Sequence, residues 1–331
     1  LNRATVFYKL PGKTEIVKKT GIIDPVLKPI PFDEITEELF LFSPYNSGNL
    51  TYVIQLKDEI LKFETIGYSQ NNINHYDTEF DFVLKTNEAI SNMNDSNEMS
   101  KVVMARCSKK NIDYELDINT FFLNLCLNYP NSFVYAVSSA ITGTWIAATP
   151  EILLKTNYST IETIALAGTM LISTKGKWGE KEIDEQHQVE VFIEQIAKKH
   201  HFKLKEIKGP TDLITGHLKH LYSHFTFEYN PKSLNKFIEE LNPTPAVGGV
   251  PQNKAIDFIK KNENLNRGFY TGFAGTMNKK ETNLFVNLRC MELFKKHINL
   301  YAGCGITKNS DAIAEWIETE NKLKTLGNFL P

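Results

Sequence analysis

Cysteine is scarce in this chain. Cys107, Cys126, Cys290 and Cys304 are the only four in 331 residues, too far apart for the CxxC spacing of a zinc site and too few for a disulfide framework. Such usage suits a reducing compartment, and the cytoplasm is the expected location. Long apolar runs are missing as well. No stretch approaches the roughly 18 uninterrupted apolar residues of a membrane span, and the first residues lack the basic-then-apolar order of a signal peptide. There is no basic excess: 37 Lys and Arg stand against 39 Asp and Glu, a net charge of −2 that argues against nucleic acid as a partner. GxGxxG and Walker A loops are absent, which removes support for nucleotide binding, and neither HExxH nor a Cys/His cluster offers a zinc site. Internal repeats and low-complexity tracts are absent too.

What is present is a globular composition, 42% hydrophobic and 23% charged, in a chain long enough to bury a large core as one domain over residues 1–331. Runs rich in β-branched and aromatic residues predict strands at 51–56, 101–107, 133–138, 144–148, 163–166, 283–293 and 297–302. Apolar residues at helical spacing predict helices at 80–93, 118–127, 181–200, 233–241, 252–262 and 311–326. Several strands follow one another directly, so the fold class is a mixed α/β (α+β) arrangement with mainly antiparallel sheet rather than strict βαβ alternation. The first hundred residues carry the fewest signals.

Several places concentrate polar groups in a pattern that spacing can interpret. Glu182 and Glu185 lie three apart near the start of the 181–200 helix and share a face. The ordinary explanation is a solvated first turn whose carboxylates favour the helix dipole. Glu315, Glu318 and Lys322 share a face of the last helix, where an exposed Glu318–Lys322 pair would be ordinary. Two carboxylate-bearing helices facing each other would form an all-oxygen site suited to Mg²⁺. Lys101 leads an apolar run, as an edge-protecting charge often does, and Glu151 stands in similar company. Gly168, Gly303 and Gly305 sit beside strands, where glycine permits either a tight turn or close approach of backbone to a ligand. His187, His220 and His224 form no ligand motif, and structural or exposed roles are the ordinary ones.

Taken in order, Lys101-Val-Val-Met-Ala-Arg106, Thr149-Pro-Glu-Ile-Leu-Leu154, Leu166-Ala-Gly-Thr169, Lys181-Glu-Ile-Asp-Glu-Gln186, Lys219-His-Leu221, Asn242-Pro-Thr-Pro-Ala-Val-Gly-Gly249, Val286-Asn-Leu-Arg-Cys290, Tyr301-Ala-Gly-Cys-Gly-Ile306 and Glu315-Trp-Ile-Glu-Thr319 resemble the chorismate-utilising enzymes. That family includes isochorismate, salicylate, anthranilate and aminodeoxychorismate synthases. The resemblance runs from about residue 101 to 326, with 1–100 an abbreviated N-terminal part of the same domain. It implies two packed, mainly antiparallel sheets with helices outside, chorismate as substrate, Mg²⁺ as cofactor, no glutaminase subunit and a monomer.

Within the family, the Pro-Thr-Pro-Ala-Val-Gly-Gly stretch resembles the isochorismate-forming branch, and a lysine at position 101 implies water rather than ammonia as nucleophile. The resemblance gives Lys101 the role of general base toward water attacking C2, and Glu151 that of general acid toward the departing C4 hydroxyl. Glu185 and Glu318 would bind Mg²⁺, with Glu315 beside them, directly or through water. Arg289, the backbone at Gly303 and Gly305, and Lys322 would hold the substrate carboxylates, while Gly168, Thr169 and His220 would line the ring pocket. A lysine base needs a pKa well below about 10.4, and an acidic glutamate needs an apolar pocket that raises its own. The chain departs from the family in having Gln186 after Glu185 where a histidine is common, with His187 one position on, and in a short stretch between Thr169 and Lys181. A salicylate synthase and a non-catalytic chorismate binder are the alternatives. The product's destination, menaquinone or a catechol siderophore, is open.

Overall fold

The computed structural model describes residues 2–330 except 28–34, 46, 47, 49, 71–74, 97, 158 and 175. In chain order its elements are β1 (Arg3–Lys9), β2 (Val17–Val26), β3 (Leu39–Ser43), β4 (Thr51–Glu59), α1 (Glu79–Ser96), β5 (Lys101–Asn111), α2 (Ile118–Asn128), β6 (Phe133–Ser139), β7 (Gly143–Thr149), β8 (Ile152–Asn157), β9 (Thr160–Leu171), α3 (Glu180–Lys199), β10 (Lys203–Thr215), β11 (Leu218–Glu228), α4 (Leu234–Leu241), β12 (Gly249–Val250), α5 (Gln252–Asn262), β13 (Phe273–Met277), β14 (Glu281–Val286), β15 (Cys290–Leu293), β16 (His297–Ile306) and α6 (Ala312–Gly327). Helix starts follow local chemistry. Asp117 accepts from the Asn119 and Thr120 amides ahead of α2, and Asp311 accepts from Ala314 ahead of α6, each satisfying donors that a helix end leaves open.

All the strands join one ladder in the order β10-β11-β9-β8-β14-β13-β3-β4-β2-β1-β6-β7-β15-β16-β5-β12. The pairings are antiparallel throughout, from β1 with β2 to β16 with β5. The two expected layers are therefore the two halves of a single hydrogen-bonded sheet folded onto itself. Aromatic rings fill the space between the halves: Phe133 of β6 stacks on Phe285 of β14 at 4.4 Å, and Phe42 of β3 meets Trp145 of β7 edge-on. Helices cover the outer faces. Val189 and Ile193 of α3 and Phe237 of α4 pack on the β8–β9–β11 side, while Phe122 of α2 and Leu326 of α6 pack on the β6–β7–β15–β16 side. Among the described residues no helix is long and apolar enough to cross a membrane.

Two strand expectations need correcting. The run at 283–293 is not one strand, because the chain breaks at 287–289 with Arg289 in the left-handed region (φ 47) before β15 begins. The N-terminal region, which carried few signals, supplies four strands from the middle of the ladder. Gly249 explains how the ladder reaches its last member. Its φ of 145 suits glycine, and a Cβ there would collide with the carbonyl of Lys101, so only glycine lets β12 pair with the start of β5.

Candidate active site

The site lies where β5, β9, β11, β16, α3 and α6 converge on a cavity that opens partly to solvent. Glu151, Gly168, Thr169, Glu185, His220, Arg289, Gly303, Gly305 and Lys322 all line it. Glu315 and Glu318 line a more open cavity next to it, and Thr169 belongs to both walls. Lys101 lines neither. It is fully buried at the start of β5, with its ammonium 3.0 Å from Glu185 Oε1. Reading Lys101 as an edge charge is thus corrected by its burial, while the bland pairing of Glu318 with Lys322 is real, at 2.6 Å, and forms part of the site.

Glu182 and Glu185 share a helix face but separate in role. Glu182 turns back to accept from the Gly179 amide at the start of α3. Glu185 turns inward, where burial would push its carboxyl up, yet Lys101 and Lys181 outweigh that and bring it down to about 2. Gly305 makes the pairing possible, since a Cβ there would collide with Glu185 Oε1 and lie 2.8 Å from Lys101 Cε. Lys181, which in sequence only opens the 181–186 motif, joins the site as well. Its ammonium lies 2.8 Å from Glu315 Oε1 and 3.9 Å from Glu185 Oε2. Burial works against that charge, but Glu185, Glu318 and Glu315 hold it well above the usual lysine range.

Glu315 is 3% exposed, and its Oε2 is buried without a hydrogen-bond partner. Burial first, then the neighbouring Glu318 charge, pushes its carboxyl up to about 7. A buried oxygen left unsatisfied beside two more carboxylates is a donor set that a hard divalent cation would complete. The three carboxylates are not drawn into a closed ligand ring, for Lys181 stands among them. The one group of three metal-capable side chains within 4.8 Å of one another among the described residues is His75, Asp77 and Asp81, where Lys85 already bonds Asp77 at 2.6 Å.

Glu151 precedes β8 and is 3% exposed. Burial pushes its carboxyl up to about 7, against the opposing pull of Lys101, Lys322 and Arg289. His220 on β11 is driven well below its ordinary value by burial and by the Arg289 and Lys322 charges, so the ring is neutral. Its Nδ1 lies 3.1 Å from the Gly168 carbonyl, which can only accept, and its Nε2 lies 3.3 Å from Arg289. Nδ1 therefore carries the proton and Nε2 accepts from the guanidinium. Arg289 also donates to Thr325 Oγ1, leaving further N–H groups for an anion in the cavity. Lys322 donates to the Gly303 carbonyl at 2.8 Å.

The departure at Gln186 is structural. Its amide accepts from Ala167 N and donates to the Ala165 carbonyl and Ser223, tying α3 to β9 and β11, whereas His187 points outward with its side chain 70% exposed. The sequence reading also passed over Tyr270, which lines the cavity from a turn that carries no strand or helix signal.

Residues 55–331 match the family described as chorismate binding enzyme. The isochorismate synthase MenF of Bacillus subtilis (strain 168) is 29% identical over 255 residues, 73% of this chain and 54% of that protein. The isochorismate synthase EntC of Escherichia coli (strain K12) is 27% identical over 243 residues, 70% of this chain and 62% of that protein. The chain thus spans about half to three fifths of the length of these curated relatives. Among solved structures, MenF from Escherichia coli, the menaquinone-specific isochorismate synthase, superposes with a TM-score of 0.80 at 18% identity, covering 99% of this chain and 89% of that one. Anthranilate synthase component I from Streptococcus pneumoniae TIGR4 gives 0.70 at 17% identity, covering 98% and 92%. At such identities the structural likeness speaks for the fold.

Proposed function

The chain belongs to the chorismate-binding enzymes, and from that premise we propose that it is an isochorismate synthase, an isomerase that adds water at C2 of chorismate as the C4 hydroxyl leaves. The observation that carries this reading is the pairing of a fully buried lysine, Lys101, with a buried glutamic acid, Glu151, whose carboxyl stands at about 7. Glu151 keeps a proton near neutral pH, and in the proposed reaction Lys101, as the free amine, takes one. A module that only bound chorismate would need neither.

In this mechanism Arg289 and Lys322 receive the substrate carboxylates, with the guanidinium offering a planar fork and the ammonium a point charge. His220, held neutral, fixes the Gly168 carbonyl and the Thr169 hydroxyl beside the ring. Lys101, having first given up its own ammonium proton and left its contact with Glu185, accepts as the free amine a proton from the attacking water. The two ring double bonds shift toward C4, and Glu151 gives its proton to the C4 oxygen, which departs as water. Water enters and water leaves, so the net change is an isomerisation. Glu185, Glu318 and Glu315, the last with a buried oxygen left unsatisfied, are the residues that would hold magnesium, which when bound would neutralise charge on the ring carboxylate.

A product assay on chorismate with and without Mg²⁺, separating isochorismate, salicylate and anthranilate, tests the reading. Isochorismate alone is expected; salicylate would place the chain in the neighbouring branch, and no turnover would leave a binding protein. Ammonium supplied at high pH should yield little or no anthranilate, because the buried Lys101 serves water. Glu318→Gln keeps the shape of its side chain but removes one negative charge beside Lys322, so the magnesium needed for half-maximal rate should rise by about tenfold or more, ~1.4 kcal/mol. An unchanged magnesium requirement would remove Glu318 from the ligand set.

A further inference from the structure

The strand that carries Lys101 has one well-paired edge and one that is nearly bare. β16 pairs with β5 from Val102 to Asn111. On the opposite side β12 covers only Lys101 and Val102, and the Gly248 carbonyl then accepts from Val103 N. Beyond that point, among the described residues, no strand follows on this edge. Two side chains take its place: Arg267 donates to the Val103 carbonyl at 2.7 Å, and Glu263 Oε2 accepts from Ala105 N at 2.9 Å.

These two residues form an ion pair at 2.5 Å, each with its side chain 2% exposed. Arg267 also donates to the Val247 carbonyl at 2.9 Å and to Thr271 Oγ1 at 3.2 Å, and its guanidinium lies 4.5 Å from the centre of the Tyr45 ring. One guanidinium therefore holds three segments: the edge of β5, the 242–249 loop and the 267–272 turn. Val103, Val247 and Tyr270 from these segments line the cavity. A buried ion pair gives no clear advantage in stability over apolar residues of similar volume. What apolar residues could not do is grip carbonyl and amide groups from separate segments at once.

We propose that the buried Glu263–Arg267 pair positions the reaction, acting as a surrogate strand that locks the Lys101 end of β5 at a fixed distance from the Val247 wall of the cavity. The proposal rests on the reading of Lys101 as the base. Neither residue touches the cavity, so both act through the backbone they hold.

The test uses two variants of the full chain. Arg267→Lys keeps a positive charge beside Glu263, but a compact ammonium cannot span the Val103 and Val247 carbonyls together. The double variant Glu263→Gln with Arg267→Met removes both charges, so neither is left buried alone. Both should fold, with kcat per folded molecule down about 10–100-fold, the order that a misplacement near 1 Å produces, while KM for chorismate changes less than about threefold. Amide hydrogen exchange along β5 should quicken in both. Wild-type kcat with unchanged β5 exchange in the double variant would overturn the proposal, as would a loss confined to KM. If the wild type itself converted no chorismate, the functional reading would fail, and β5 exchange alone would decide whether the pair holds the strand.

Discussion

Glu185→Gln should lose magnesium-dependent turnover altogether and should also fold less stably. The second effect follows from what surrounds the carboxylate. Lys101 and Lys181 both rely on it, at 3.0 and 3.9 Å, and the neutral amide leaves two buried ammonium groups short of negative charge. Removing one partner of a buried pair costs about 3–5 kcal/mol. The depressed carboxyl gives a similar figure, since a fall from 4.5 to about 2 corresponds to roughly 3 kcal/mol. Because the folded form binds this proton more weakly, the contribution is present above the unfolded value near 4.5 and disappears as pH drops toward 2. Wild type should therefore lose stability across that acid window, and Glu185→Gln should lack that part of the loss. Adding Lys101→Met to Glu185→Gln removes the nearer of the two stranded charges, so part of the stability should return while activity does not. Chemical denaturation of the three proteins with a chorismate assay on each separates folding from metal binding, and full activity in Glu185→Gln would end its assignment as a ligand.

The six α-helices among the described residues were legible in the sequence because each carries an apolar stripe, and α2 and α6 also start at a capping aspartate. The strands were legible only where β-branched and aromatic residues cluster. β1 was missed because six of its seven residues are buried on both faces, so Thr5 and Lys9 sit inside and no in–out alternation appears. β10 was missed for the opposite reason: it is an edge strand, charged, exposed and interrupted by Gly209-Pro210, a pattern that reads as loop.

The site was legible chiefly through the ordered motifs. Spacing placed Glu315, Glu318 and Lys322 on one face of α6, but it could not show that Glu182 caps its own helix while Glu185 turns inward. Lys181 illustrates the remaining gap. Its importance comes from Glu315, more than a hundred residues away, and a contact of that separation leaves no local pattern.

Lys101→Ala and Glu151→Gln should each lower kcat by about 10²–10⁴-fold, the usual loss for a positioned base or acid. Chorismate binding should change far less, because Arg289 and Lys322 remain in place. The two variants differ in stability, which guards against mistaking misfolding for lost chemistry. Glu151 holds its proton more tightly in the folded form, so its favourable contribution is complete below about 4.5 and is lost as pH climbs through about 7. Above that pH the wild type buries a charge that the glutamine variant does not, and Glu151→Gln should be at least as stable as wild type. Lys101→Ala instead strands Glu185 with less compensation and should be the weaker fold. In the wild type the rate should fall as pH rises through about 7, when Glu151 gives up the proton it must donate, and that limb should vanish in Glu151→Gln. Both residues serve one transition state, so the double variant should be far less impaired than the product of the single losses. Near-normal kcat in Lys101→Ala would falsify the base assignment, and with it the argument that selects water over ammonia.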